Sequence, residues 1–177
     1  MIYTLFLYVI MNTLQPPSLI FKFKAGVSTQ GWTIVDDRVM GGRSQGNFEL
    51  NSEGLGLFEG YVTTENNGGF SSLRYNFEAV KTAGFTAVVL KLKGDGKSYQ
   101  FRLKGSGSQR HSYIHSFKTS GALEEISIPL ANFRPSFRGY TLDIPNFEGD
   151  KIEQIAFLIA NKVNENFRLE IESISLQ

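Results

Sequence analysis

The chain has 177 residues, 41% hydrophobic and 13% aromatic, a net charge of +1 and no cysteine. That is material for one compact core without a disulfide or metal staple, and it excludes disorder, thiol nucleophiles, Fe–S clusters, Cys-ligated zinc and disulfide frameworks. The near-neutral balance also argues against a domain that binds nucleic acid over its whole surface.

Residues 1–18 read as an N-terminal extension, poorly ordered or β-forming, ahead of a single domain spanning 19–177. Met1 to Met11 is almost entirely apolar, but it lacks the basic flank and small-residue cleavage site of a signal peptide. It is also about half the length that crosses a bilayer, so no transmembrane segment is expected. Met11 offers an alternative start.

From Leu19 onward the chain reads as strand after strand. Leu19, Phe21 and Phe23 alternate with Lys22 and Lys24, and Trp32 opens a strand that ends at the acidic pair Asp36 and Asp37. Val88, Leu90 and Leu92, then Tyr99, Phe101 and Leu103, carry Lys91, Lys93, Gln100, Arg102 and Lys104 between them. With Gly94-Asp95-Gly96 in the middle this predicts a hairpin with one apolar and one polar face. Ile152 to Ala160 is apolar on both faces, as a central strand covered on both sides would be. Phe167, Leu169 and Ile171 alternate before the phase slips to Ile174 and Leu176, which a bulge near Glu172-Ser173 explains. Only Phe77–Ala83 and Leu130–Phe137 suit a short helical turn. Ten to twelve strands without helices define an all-β β-sandwich of the jelly-roll kind.

Catalytic patterns fail one by one. Gly96-Lys97-Ser98 has the tail of a phosphate-binding loop, but position 91 is Lys where the pattern needs Gly. His111 and His115 fall on a strand, where four residues span about 13 Å and cannot share one ion. Asp36 and Asp37, being adjacent, point to opposite faces and make a poor acid/base dyad. Neither an enzyme nor a cofactor is expected. Oxygen ligands for calcium are available from Asp36, Glu65 and Asn66, with no spacing that demands the ion.

Charge is unevenly spread. Between Lys91 and Lys118 seven Lys/Arg stand against Asp95 alone, whereas seven acids outweigh three bases between Asp143 and Glu172. The basic stretch is either a landing site for an anionic ligand or acidic protein, or a set of solvent-facing lysines that discourage strand-edge pairing.

Two segments stand out. One is Asp37-Arg38-Val39-Met40-Gly41-Gly42-Arg43-Ser44; the other is Glu65-Asn66-Asn67-Gly68-Gly69-Phe70-Ser71-Ser72, whose Asn-Asn-Gly-Gly core tolerates left-handed backbone. Together they resemble the signature of the complex I intermediate-associated protein family. Gly94-Asp95-Gly96-Lys97-Ser98-Tyr99, Phe137-Arg138-Gly139, Ile155–Lys162 and Phe167–Ile171 follow in that family's order. The resemblance covers about residues 19–177. It implies a galactose-binding-domain-like jelly roll, related to carbohydrate-binding modules, with a non-enzymatic, chaperone-like role in assembling respiratory NADH:ubiquinone oxidoreductase. The mitochondrial members carry an Arg-rich transit segment, and no Arg precedes Arg38 here; a bacterial, cytoplasmic version is expected.

The resemblance places the candidate binding residues in loops at one end of the sandwich: Asp37, Arg38, Asn66, Asn67, Gly68, Gly69, Asp95 and Arg138. Asp37 and Arg38 are expected to fix the double-Gly turn, and Asn66, Asn67 and the Arg138 loop to present the recognition surface. The expected partner is a protein, such as respiratory complex subunits or assembly intermediates. The alternative is a sugar or small ligand, stacked on Trp32, Tyr99, Tyr113 or Tyr140 where these stand exposed.

Overall fold

A computed structural model describes residues 15–177. The first fourteen residues of the expected extension, with the Met1–Met11 run, lie outside the described residues.

Thirteen strands follow in chain order: β1 (Ser18–Lys22), β2 (Trp32–Asp36), β3 (Gln45–Leu50), β4 (Gly56–Val62), β5 (Ser71–Lys81), β6 (Ala87–Lys93), β7 (Ser98–Lys104), β8 (Ser112–Lys118), β9 (Leu123–Pro129), β10 (Arg134–Phe137), β11 (Tyr140–Thr141), β12 (Lys151–Ile159) and β13 (Glu165–Leu176). They form two antiparallel sheets. One has the order β3-β4-β13-β6-β9 with β1 also on β13; the other runs β11-β10-β8-β7-β12-β5-β2. The inner faces meet in one core, where Phe58, Leu90, Leu169 and Ile171 face Leu73, Phe101, Leu103, Ile155 and Phe157, all of them fully buried. Each such side chain contributes roughly 1.5–3 kcal/mol by leaving water. At one end Trp32 closes the core by stacking on Tyr75 at 4.6 Å, with Phe21, Phe23 and Phe48 around it.

β12 is central, between β7 and β5. Its Ile155, Phe157 and Ile159 enter the core while Ala156 and Leu158, also buried, face the other way. The bulge at the C-terminal strand falls between Ile171 and Ser173, where the β13–β6 register shifts.

Two expectations are corrected. β6 and β7 are not a hairpin: β6 pairs with β13 and β9, and β7 pairs with β12 and β8, in the opposite sheet. Gly94-Asp95-Gly96 is an arch between the sheets. Both strands turn an apolar face inward, so their alternation is the same as that of two hairpin strands. Phe77–Ala83 is not a helical turn either, since β5 continues to Lys81. Ile152 pairs with Val80 and Gln154 with Asn76, so three residues of β5 oppose the single residue Glu153. That irregularity breaks the period of two and imitates a helical spacing. The Leu130–Phe137 segment holds one 3-10 turn, Leu130–Asn132, followed by β10.

Candidate binding site

β2 runs straight into the acidic pair, and its extended backbone sends the two carboxylates to opposite sides. Asp36 accepts hydrogen bonds from the Ser71 hydroxyl at 2.6 Å and from the Gly46 N–H at 3.1 Å. Asp37 is fully buried. Its carboxylate accepts from the Ser44 N–H at 3.0 Å, the Ser44 hydroxyl, the Gly69 N–H at 2.6 Å and the Phe70 N–H at 3.2 Å. Gly42 and Gly68 lie so close that a Cβ on either would collide with that carboxylate. Both signature segments are therefore clamped onto one side chain. Burial works against the charge on Asp37, but the donors from Ser44, Gly69 and Phe70 outweigh it and hold the carboxyl below its ordinary range.

With Asp37 pinned, the 3-10 turn Asp37–Met40 closes on Gly41, whose φ of 90° only glycine adopts readily. The turn lifts Arg38 into solvent together with Val39 and Met40, which are 73% and 62% exposed. Across the clamp, Asn66 and Asn67 take left-handed backbone at φ 54° and 59°, and both side chains are exposed. The two loops form one rigid rim.

Beside the rim, on the outer face of the second sheet, a cleft of about 490 Å³ opens. Met40 and Phe70 line it from the rim, Phe137 from the end of β10, and Arg138 and Gly139 from the connection between β10 and β11. Arg138 stands in left-handed backbone at φ 51°, and the guanidinium groups of Arg110 and Arg138 lie 5.2 Å and 5.4 Å from the Phe137 ring centre. The floor comes from β5, β12 and β7. Arg74, Ala156 and Arg102 stand in one cross-strand row, and Gln154 faces Lys104 in the next. Arg102 donates through Nε and Nη2 to Gln100, and Lys104 to the Gln109 carbonyl. Burial, reinforced by neighbouring Arg74, pushes the Arg102 guanidinium down to about 10. Burial, then Arg74 and Arg102, lowers Lys104 as well.

The structure sorts the eight expected residues. Asp37, Gly68 and Gly69 build the rim from inside; Arg38, Asn66 and Asn67 are displayed on it; Arg138 edges the cleft. Asp95 does not join them. It borders a shallow depression on the first sheet with Glu59, Tyr61 and Arg168. There it accepts from the Tyr99 hydroxyl at 2.9 Å, from the Arg168 N–H at 3.0 Å and from Lys97 at 2.8 Å. Those bonds tie the arch between β6 and β7 to β13. Arg74, Arg102, Lys104 and Arg110 were missing from the expected site. Arg102, Lys104 and Arg110 fall in the basic stretch Lys91–Lys118, read either as a landing site for an anionic ligand or acidic protein or as solvent-facing edge charges; Arg74, on β5, lies outside that stretch and had no such signal.

The aromatic residues considered for sugar stacking mostly fill the interior. Trp32 and Tyr99 are 8% and 1% exposed, and Tyr113 is half-buried against Phe147. Tyr140 alone among the four stands open, at 77%. Among the described residues no three His, Asp or Glu side chains gather as metal ligands, and no helix is long and apolar enough to cross a membrane. The carboxylates considered for calcium are engaged otherwise: Asp36 with Ser71 and Gly46, Glu65 with Arg43.

The family model described as Complex I intermediate-associated protein 30 (CIA30) matches residues 21–171. Two proteins named Complex I intermediate-associated protein 30, mitochondrial, are similar: that of Drosophila melanogaster is 26% identical over 90% of this chain and 62% of its own length, and that of Mus musculus 22% identical over 92% and 57%. The chain thus spans about three-fifths of the length of these relatives. Among solved structures, the family 11 carbohydrate-binding module from Clostridium thermocellum, in complex with a β-1,3-1,4-mixed-linked tetrasaccharide, superposes with a TM-score of 0.64. It is 18% identical and the match covers 90% of this chain and 94% of that one. The agarase AgWH50C superposes with a TM-score of 0.61 over 92% of this chain and 24% of that one, at 12% identity. At these identities the likeness is one of fold.

Proposed function

The chain belongs to the Complex I intermediate-associated protein 30 family, and on that footing we propose that it is a non-enzymatic protein-interaction module, chaperone-like, acting in the assembly of respiratory complex I. One observation carries the reading beyond the family name. The Asp37 clamp spends a buried carboxylate and two glycines on holding Val39 and Met40 out in water, at 73% and 62% exposure. Apolar side chains displayed on a rigid turn beside arginines have the composition of a protein interface core, in which Met, Tyr and Arg are enriched. A mitochondrial setting, which the names of both curated relatives give for those proteins, suits this reading better than the bacterial cytoplasm.

Sugar binding is supported by the fold and by exposed Tyr140; the burial of Trp32 and Tyr99 weighs against it. The test is affinity capture of the tagged chain from its own cells, with mass spectrometry, beside a Val39→Asp/Met40→Asp variant. Complex I subunits or assembly intermediates are expected with the native chain and strongly depleted with the variant, whose thermal midpoint stays within about 2 °C because both side chains are already exposed. Equal capture by the two chains rejects the rim as the contact.

A further inference from the structure

We propose that the cleft on the outer face of the second sheet is a docking groove for an extended acidic segment of a partner polypeptide, held by Arg74 and Arg102 through its carboxylates. This rests on the protein-interaction reading and names the partner's chemistry.

The argument begins with unpaired charge. Five cationic side chains line the cleft: Arg74, Arg102, Lys104, Arg110 and Arg138. Among the described residues none of the five forms a salt bridge, although Lys91, Lys93, Lys97, Lys151, Arg43 and Arg168 all do. Acidic residues are as abundant as basic ones in this chain. Their absence from the cleft is a local property. Arg74, Arg102 and Lys104 are half-buried, while Arg110 and Arg138 are exposed; gathering partly desolvated cations without a carboxylate costs stability, and a ligand that supplies the missing charge offsets that cost.

The geometry specifies how that charge arrives. Arg74 and Arg102 are cross-strand neighbours of Ala156, one on each side. Their backbones are therefore about 10 Å apart, with a methyl group as the floor between them. Gln100 orients Arg102 by taking its Nε and one Nη2 hydrogen, leaving the outer N–H groups free. Lys104 extends the positive floor by one more row, and Arg110 and Arg138 stand at the opposite wall around Phe137. Charge distributed along a groove matches a chain of carboxylates better than a single compact anion. Side chains on one face of an extended peptide recur every 6.6 Å or so, and two of them span the distance between long, converging guanidinium arms. The rim contributes Met40 and Phe70 at one end. Apolar residues at one end and arginines along the floor fit a polypeptide that carries acidic and apolar side chains in sequence.

The probe is a fluorescein-labelled peptide in which Glu and Ser alternate over eight positions before Leu-Phe-Leu, followed by fluorescence anisotropy. Binding is expected to weaken about tenfold in Arg74→Gln and again in Arg102→Gln. It is expected to stay unchanged in Lys24→Gln and Lys118→Gln, which remove the same charge outside the cleft. Both arginine variants are expected to melt no lower than the native chain, since each removes a cation that lacks a carboxylate, so folding does not confound the result. No binding by the native chain, or equal weakening in the lysine controls, overturns the proposal. So does displacement by polygalacturonate or by inorganic phosphate alone at lower concentration than the unlabelled peptide, with the same arginine dependence; the cleft then takes an acidic sugar or a small anion. The two readings fail separately. If the Arg74→Gln/Arg102→Gln chain captures complex I subunits as well as the native chain does, the groove is wrong and the interaction module stands. If the native chain captures none, the interaction module is wrong.

Discussion

Asp37 shows how one residue organises a surface it never reaches. Four donors from Ser44, Gly69 and Phe70 converge on its buried carboxylate, so Asp37→Asn is expected to leave donors facing an amide N–H₂ and to cost about 3 kcal/mol. For a chain of this size that is a loss of roughly 6–12 °C in the thermal midpoint. Gly68→Ala pushes a methyl into the same carboxylate and is expected to cost about 1–3 kcal/mol. Differential scanning calorimetry checks both. Because the folded carboxyl of Asp37 is held below its ordinary value, its contribution is fully present above the ordinary carboxylate range. It is lost as pH falls through that range and past the lower folded value. Urea midpoints of the native chain are expected to fall between neutral pH and about pH 3 more steeply than those of Asp37→Asn, which has no such group to titrate.

At the scale of elements, the arch between β6 and β7 separates what alternation can and cannot say. Val88–Leu92 and Tyr99–Leu103 were legible as strands because apolar residues recur at every second position. Their partners were not, since pairing across the sheets depends on β13 and β12, fifty or more residues away. Asp95 was expected in the binding site through the family resemblance, which does not say to which sheet the loop is tied. In the fold it is bonded to Tyr99, Lys97 and the Arg168 N–H, which locks the crossing of the chain from one sheet to the other. Asp95→Ala is therefore expected to lower the thermal midpoint by about 4–8 °C while capture of partner subunits is unchanged. The central strand β12 and the bulge at Ser173 were readable, because an unbroken apolar run and a phase slip are local facts of the sequence. The β5 irregularity opposite Glu153 was not, since a three-against-one register looks like a turn of helix.

Over the whole molecule the surfaces divide by role. The first sheet's outer face carries the ion pairs of Arg168 with Glu59 and Glu170 and of Lys91 with Glu172, charges already satisfied within the chain. The outer face of the second sheet carries cations that form no salt bridge among the described residues and, at its edge, the rim with Val39 and Met40. The signature segments pointed to this end of the domain, through Asn66, Asn67 and Arg138. The cleft itself was dispersed along the sequence, with Arg74 on β5, Arg102 on β7 and Arg138 beyond β10, and only the antiparallel registers bring them together. The central claim is that rim and cleft form the contact surface of an assembly module. Hydrogen–deuterium exchange on the chain, free and bound to its captured complex I intermediate, measures this most directly. Slowed exchange is expected over residues 37–44, 65–70 and 137–140, with β3 and β4 unaffected. Protection confined to the outer face of the first sheet would contradict the account.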